Sequence, residues 1–145
     1  MKRFQYQLDP LLRYRENRRD LCRQALAQIL AADEDLVQQK NRMQKEYQSV
    51  EGEIKQLGQG GHFDVDRVSA RRFHLGQLKV KIRVVDENRR QLAEKIKICR
   101  QALVEADQDV KVLEKIRTRK QEEHTAAQLH EENLEREEAW RATQY

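Results

Sequence analysis

Residues 54–61, with the sequence IKQLGQGG, end a long helical pattern with three glycines in four residues. Glycine costs a helix backbone entropy and accepts left-handed dihedral angles, so such a cluster ends a helix and begins a turn. Upstream, Asp9 and Pro10 are favourable first residues for a helix. The Asp side chain accepts hydrogen bonds from the free amides of the first turn, and the N–H group that Pro lacks would have no partner at that position. The sequence therefore predicts one helix before the turn and a second helix after it, capped by Asp64 or Asp66.

The predicted fold class is all-α: a long antiparallel two-helix coiled-coil hairpin with a C-terminal single-helix overhang. Lone helices of this length are only marginally stable in water, so the two helices are expected to pack on each other. The expected segments are an N-terminal extension (1–9), helix one (10–57), a glycine-rich turn (58–65), a paired segment of helix two (66–113) and an overhanging acidic helix (114–145).

Both helices carry apolar residues at heptad spacing, which is typical of a left-handed coiled coil. The d and then the a positions of helix one are Leu8, Arg15, Cys22, Ile29, Leu36, Met43, Val50, Leu57 and Leu12, Arg19, Leu26, Asp33, Lys40, Tyr47, Ile54. The a and then the d positions of helix two are Leu75, Ile82, Arg89, Ile96, Leu103, Val110 and Leu78, Val85, Leu92, Cys99, Ala106, Leu113. These columns form the predicted seam between the helices.

Five charged residues interrupt the predicted seam. They are expected to fix the register of the helices and to direct their charges toward water. Contact with a partner protein is the alternative interpretation. The five residues are Arg15, Arg19, Asp33, Lys40 and Arg89.

Cys22 and Cys99 are the only cysteines, too few for a disulfide scaffold. The hairpin predicts that they lie in adjacent core layers as small buried side chains. We expect mild oxidation to crosslink them within one chain, if at all.

Composition excludes several functional classes. Charged residues make up 37% of the chain and apolar residues 38%, which suits a narrow seam better than a thick core, and the seam's periodicity argues against disorder. No stretch approaches the roughly 20 apolar residues that cross a bilayer, and the N-terminus lacks the apolar run of a secretory signal. A cytoplasmic location is therefore expected.

Catalysis is not expected. The glycine cluster lacks the Lys-Ser/Thr pair of a phosphate-binding loop, and no Ser or Cys has a histidine that two paired helices bring to it in a dry pocket. The four histidines have no metal-ligand spacing. We therefore expect no catalytic, cofactor-binding or metal-binding residue, and no cofactor. The histidines are His62, His74, His124 and His130.

The apolar seam ends at Leu113, and the chemistry of the chain changes there. Residues 1–23 hold seven basic and three acidic side chains, and residues 64–100 hold eleven basic and five acidic ones. Residues 121–145 hold two basic and seven acidic side chains, so the C-terminal end is acidic. This distribution favours partners of complementary charge, and Trp140 is either an interface anchor or an isolated exposed aromatic residue.

Three short stretches resemble the flagellar FliJ family. They are residues 4–16 (FQYQLDPLLRYRE), 112–120 (VLEKIRTRK) and 131–139 (EENLEREEA). The length, the hairpin layout and the charge distribution agree with that family, so the resemblance covers the whole chain.

The resemblance implies a stalk-like component of the flagellar type III export apparatus, cytoplasmic and peripheral to the inner membrane at the flagellar base. The implied partners are the export ATPase ring, the cytoplasmic domain of the export gate and export chaperones, for a protein expected to be monomeric. The chain ends would enter the ring, and the region after the turn would face the gate, although Leu75 and Leu78 there are also seam positions. The candidate partner-binding residues are Phe4, Tyr6, Phe73, His74, Leu129, Leu134 and Trp140.

Other functions remain open. A prefoldin-like or tubulin-cofactor-like helical chaperone would need exposed apolar side chains, and the sequence indicates few beyond the seam. A dimeric coiled-coil scaffold is the second alternative, and monomeric sedimentation would exclude it. Binding of nucleic acid by the basic residues of 64–100 is disfavoured, because the net charge is only +4 and acids are interspersed. No nucleic-acid partner is therefore expected.

Overall fold

The computed structural model describes residues 2–61 and 64–144, and these residues form two α-helices and no strand. Helix α1 spans Asp9–Gln59, and helix α2 spans Val65–Thr143. The predicted all-α hairpin is confirmed. His62 and Phe63, within the predicted turn, lie outside the described residues, as do Met1 and Tyr145. No described helix has a stretch long and apolar enough to cross a membrane.

The helix ends agree with the residue types found there. The Asp64 Oδ1 atom accepts hydrogen bonds from the backbone N–H groups of Asp66 (3.1 Å) and Arg67 (3.3 Å), so Asp64 caps α2. Gly61, after the end of α1, has a φ angle of +71°, which glycine adopts without strain. At the start of α1, Asp9 forms an ion pair with Arg13 at 3.1 Å.

The described chain divides into two compact units, each containing part of both helices. Unit 1 comprises residues 1–23 and 101–145, and unit 2 comprises residues 24–100. Within each unit the helices are antiparallel, because residues later in α1 contact residues earlier in α2. In unit 1 the contacts are Arg15–Asp109 and Arg19–Asp107, and in unit 2 they are Asp33–Arg89, Lys40–Asp86, His74–Glu46 and Arg71–Glu53.

The predicted seam is confirmed by burial. Every a and d residue from Leu12 to Leu57 and from Leu75 to Leu113 is buried or half-buried, whereas Leu8 is exposed. Val68, one heptad before Leu75, is also buried and extends the seam toward the turn. Full burial of such aliphatic side chains contributes about 1.5–3 kcal/mol each, so the seam is the main source of stability.

The charged seam residues are paired within the chain. Arg15 lies 3.0 Å from Asp109, Arg19 lies 3.9 Å from Asp107, and Lys40 lies 2.7 Å from Asp86. Asp33 and Arg89 pair with each other. These contacts support the role in register over contact with a partner, because a shifted register would separate every pair. Cys22 and Cys99 are both free and half-buried.

The structure corrects the expectation of few apolar residues beyond the seam. Among the described residues, large apolar side chains are exposed on the outer faces of both helices. They include Leu21, Phe73, Val80, Val84, Ile98, Val104, Val112 and Trp140. Apolar patches on an exposed face are candidates for protein interaction.

Candidate partner-binding surfaces

Residues 2–8, here called the N-terminal segment, lie against α2 within unit 1. Tyr6 packs on the buried cluster of Leu12, Val110 and Leu113. Its hydroxyl donates a hydrogen bond of 2.9 Å to the backbone carbonyl of Leu113. A half-buried tyrosine with an apolar body in a core and a paired hydroxyl is a well-defined anchor. Tyr6 therefore fixes the N-terminal segment on α2.

Further toward the N-terminus, the contacts continue along α2. The Phe4 ring lies against the His124 imidazole, with ring centroids 5.6 Å apart. The backbone carbonyl of Lys2 accepts hydrogen bonds from the Gln128 side chain (2.9 Å) and contacts the His124 Nε2 atom at 3.0 Å. The overhang expected from residue 114 onward is therefore partly covered by the N-terminal segment, as far as Gln128. The sequence did not predict this contact.

An open groove of about 590 Å³ lies between the N-terminal segment and α2. Its walls combine basic side chains with aromatic and aliphatic ones. Among the described residues, no acidic side chain lines it. The lining residues are Lys2, Arg3, Phe4, Gln5, Tyr6, Gln7, Leu8, Ile116, Lys120 and His124.

The last part of α2 presents apolar residues on an acidic helix. Leu129, Leu134 and Trp140 are all exposed, with Trp140 62% accessible. Leu129 and Trp140 are eleven residues apart, which brings them to the same face of a helix with 3.6 residues per turn. Leu134 lies on a different face. Glutamates at 131, 132, 135, 137 and 138 surround them.

In unit 2, the region after the turn separates into core and outer residues. Leu78 is buried and Leu75 is half-buried, so both belong to the seam, as expected from the heptad. Phe73 is 70% exposed. The neighbouring His74 is half-buried, and its Nε2 atom lies 2.9 Å from Glu46 Oε1 on α1. Phe73 is therefore available to a partner, whereas His74 already has a contact in the chain.

Phe73 is not isolated on the outer face of α2. Val80 and Val84 are 59% and 53% exposed, and they follow Phe73 by seven and eleven residues. This spacing brings the three side chains to one face, opposite the seam. We call Phe73, Val80 and Val84 the outer stripe. Reading the outward heptad positions for apolar residues would have found Val80 and Val84, which the sequence analysis missed.

No described group of three or more His, Cys, Asp or Glu residues is arranged to hold a metal ion. Among the described residues, the pKa is shifted for Arg89, which lies in the seam, and for Asp107, which flanks the seam. A hydrogen bond from Lys111 lowers the pKa of Asp107, assisted by the charges of Lys111, Arg19 and Arg23. The hydrogen bond to Asp33 raises the pKa of Arg89 above its usual value. Both shifts favour the charged forms: the Arg89–Asp33 pair joins the two helices, whereas Lys111 and Asp107 both belong to α2.

A family model described as "Flagellar FliJ protein" matches residues 4–140, nearly the whole chain. Comparison with curated proteins and with solved structures gave no match. The matched range includes all of α1, α2 as far as Trp140 and residues 4–8 of the N-terminal segment. The chain therefore belongs to the FliJ family and is a flagellar component connected with protein export.

Proposed function

We propose that this protein is a non-catalytic, stalk-like component of the flagellar type III export apparatus. In this role, it binds the ring of the export ATPase, promotes assembly of the ring and couples it to the export gate. Export chaperones are further proposed partners. Its location would be the cytoplasmic side of the inner membrane at the flagellar base.

The observation that carries this proposal is the continuation of α2 beyond the paired seam. Past Gln128, the described residues of α2 are mostly exposed, with Leu129 and Trp140 on one face among acidic neighbours. A narrow helical end with an aromatic anchor and many charges fits the lumen of a protein ring, where many modest contacts act together.

The outer stripe supports a second contact, with the cytoplasmic domain of the export gate. Three apolar side chains on one face of α2 provide an interface that stays accessible when the seam is fully packed. The stripe lies in unit 2, and the acidic end of α2 lies in unit 1. Separate surfaces of this kind allow one chain to contact two partners.

The test is to titrate the chain into the export ATPase of the same organism and follow ATP hydrolysis and ring assembly. The informative variant is the full chain with Leu129→Ser and Trp140→Ser. A second variant ends after Gln128, which keeps the contacts of the N-terminal segment on α2. We expect both variants to lose stimulation of the ATPase, because both remove the apolar face formed by Leu129 and Trp140.

The matched control is Leu21→Ser with Val65→Ser, since these side chains are 65% and 62% exposed and lie outside the proposed surfaces. It should stimulate like the native chain. If the native chain neither binds nor stimulates the ATPase, the proposal fails. Sedimentation decides against a dimeric scaffold if the chain is monomeric at the concentrations that stimulate.

A further inference from the structure

We infer that the groove between the N-terminal segment and α2 is a binding site for an acidic protein segment that carries a bulky apolar side chain. This inference deepens the proposed function, because the groove adjoins the end of α2 proposed to enter the ring. It names the chemistry of the partner at that end.

The groove is rich in basic side chains. Lys2, Arg3 and Lys120 line it, and none of the described lining residues is acidic. Among the described residues Lys2 and Arg3 form no ion pair, and Lys120 has only Glu123 at 3.7 Å, on its own helix. Elsewhere in unit 1, by contrast, Arg15 and Arg19 are already paired with aspartates of α2. Lys2 also lines an adjoining cavity with Glu131, Glu132 and Glu135, but it forms no ion pair with them, so the groove keeps positive charge available for a carboxylate-rich partner.

The groove also presents apolar side chains. Phe4, Tyr6, Leu8 and Ile116 form the apolar part of the wall, and Leu8 is 39% exposed although the heptad assigns it to the seam. A volume of about 590 Å³ accommodates a large side chain. A groove lined by both basic and apolar residues fits a partner with a hydrophobic residue between acidic ones, rather than a uniformly charged polymer.

The groove is already formed in the free chain. The Tyr6 hydroxyl, the Phe4 ring and the Lys2 carbonyl each contact α2. A segment held at three points loses little conformational freedom when a partner binds, and this lowers the entropic cost of binding. An extended peptide can therefore bind along the N-terminal segment, because that segment is already ordered.

The experiment measures anisotropy of a short fluorescein-labelled peptide of glutamates around one tryptophan, titrated with the full chain. The variant is Lys2→Glu with Arg3→Glu and Lys120→Glu. The control is Lys97→Glu with Lys115→Glu and Arg119→Glu, three exposed residues outside the groove with the same change of charge. We expect the groove variant to bind about tenfold more weakly or worse, because three modest charge pairs are reversed together.

The control should bind nearly like the native chain, and a peptide with serine in place of tryptophan should bind more weakly. Circular dichroism of each variant reports whether the helices remain. If the groove variant and the control lose peptide affinity equally, the inference is overturned. It is also overturned if the peptides with tryptophan and with serine bind with the same affinity. Tighter binding of a single-stranded oligonucleotide through the same three residues also overturns it.

The ATPase assay separates this inference from the proposed function. If the peptide binds through the groove but the ATPase does not bind the chain, the groove stands and the proposed function fails. If the ATPase is stimulated equally by the native chain and the groove variant, and the peptide does not bind, the groove inference fails alone.

Discussion

The Arg89 Nε atom lies 3.0 Å from the Asp33 Oδ1 atom, and the heptad assigns both residues to core positions of the seam. Their side chains are 38% and 23% exposed, so the pair is neither fully buried nor a surface pair. Charged pairs at core positions contribute less to stability than apolar residues do, but they penalise every register that separates them.

We expect Asp33→Leu alone to lower Tm, because it leaves the Arg89 charge in the seam without its partner. Replacing both residues by Leu should restore Tm to the native value or above it, since two apolar side chains pack where two charges had to be desolvated. Thermal unfolding followed by circular dichroism measures both. Equal Tm values for the single and double variants would contradict this expectation. The exchange of Asp33→Arg with Arg89→Asp should recover part of the loss.

A second prediction concerns Tyr6. The change Tyr6→Phe removes only the hydroxyl that donates to the Leu113 carbonyl, and should reduce the free energy of unfolding by about 0.5–1.5 kcal/mol. Urea unfolding measures this change. The control is Tyr14→Phe, since Tyr14 is 64% exposed, and it should be neutral. NMR relaxation of residues 3–8 should show faster motion in Tyr6→Phe, and unchanged relaxation would argue against the anchor.

The seam could be predicted from sequence because its physics is periodic. Each a and d position repeats every seven residues, so Leu12, Val110 and their equivalents were identifiable without a structure. The N-terminal segment could not be predicted, because its contacts with His124 and Gln128 follow no repeat and join residues over 120 positions apart. The heptad likewise identified Lys40 as a charged seam residue but did not identify its partner. That partner, Asp86, lies at a position flanking the seam, and many charged residues occupy such positions.

Gly76 offers a prediction about helix propensity. It lies inside α2, and a Cβ atom added there would meet nothing within 4 Å. Gly76→Ala should therefore increase the free energy of unfolding by up to about 1 kcal/mol. Gly61→Ala is the matched comparison: space is also open there, but the φ angle of +71° disfavours a side chain, so this change should destabilise. Urea unfolding of both variants checks the opposite signs.

The pKa of Asp107 gives a prediction about acid stability. The hydrogen bond from Lys111 lowers this pKa in the folded chain below its value in the unfolded chain. The unfolded chain therefore binds the proton first as pH falls, and the stabilisation from Asp107 is complete above the unfolded pKa. It is lost as pH falls through the folded pKa.

Lys111→Ala should raise the pKa of Asp107 toward its ordinary value, whereas Lys115→Ala, on the same helix, should leave it unchanged. NMR titration of the Asp107 carboxyl carbon measures both variants. An Asp107 pKa that does not respond to Lys111→Ala would mean that the hydrogen bond is not the main cause of the shift.

The outer stripe gives the last prediction. Phe73→Glu places a charge at one end of the outer stripe, within the proposed gate interface, where desolvating an unpaired carboxylate opposes binding. We expect binding to the gate's cytoplasmic domain to weaken by about tenfold or more, while the Tm and the stimulation of the ATPase stay near native values, because Phe73 is 70% exposed and outside the seam. Leu21→Glu is the control, with a similar exposure of 65% on α1, and should bind the gate normally. Calorimetric titration measures both affinities. If Phe73→Glu and Val84→Glu bind the gate domain like the native chain, the gate contact lies elsewhere, and the outer stripe loses its proposed role.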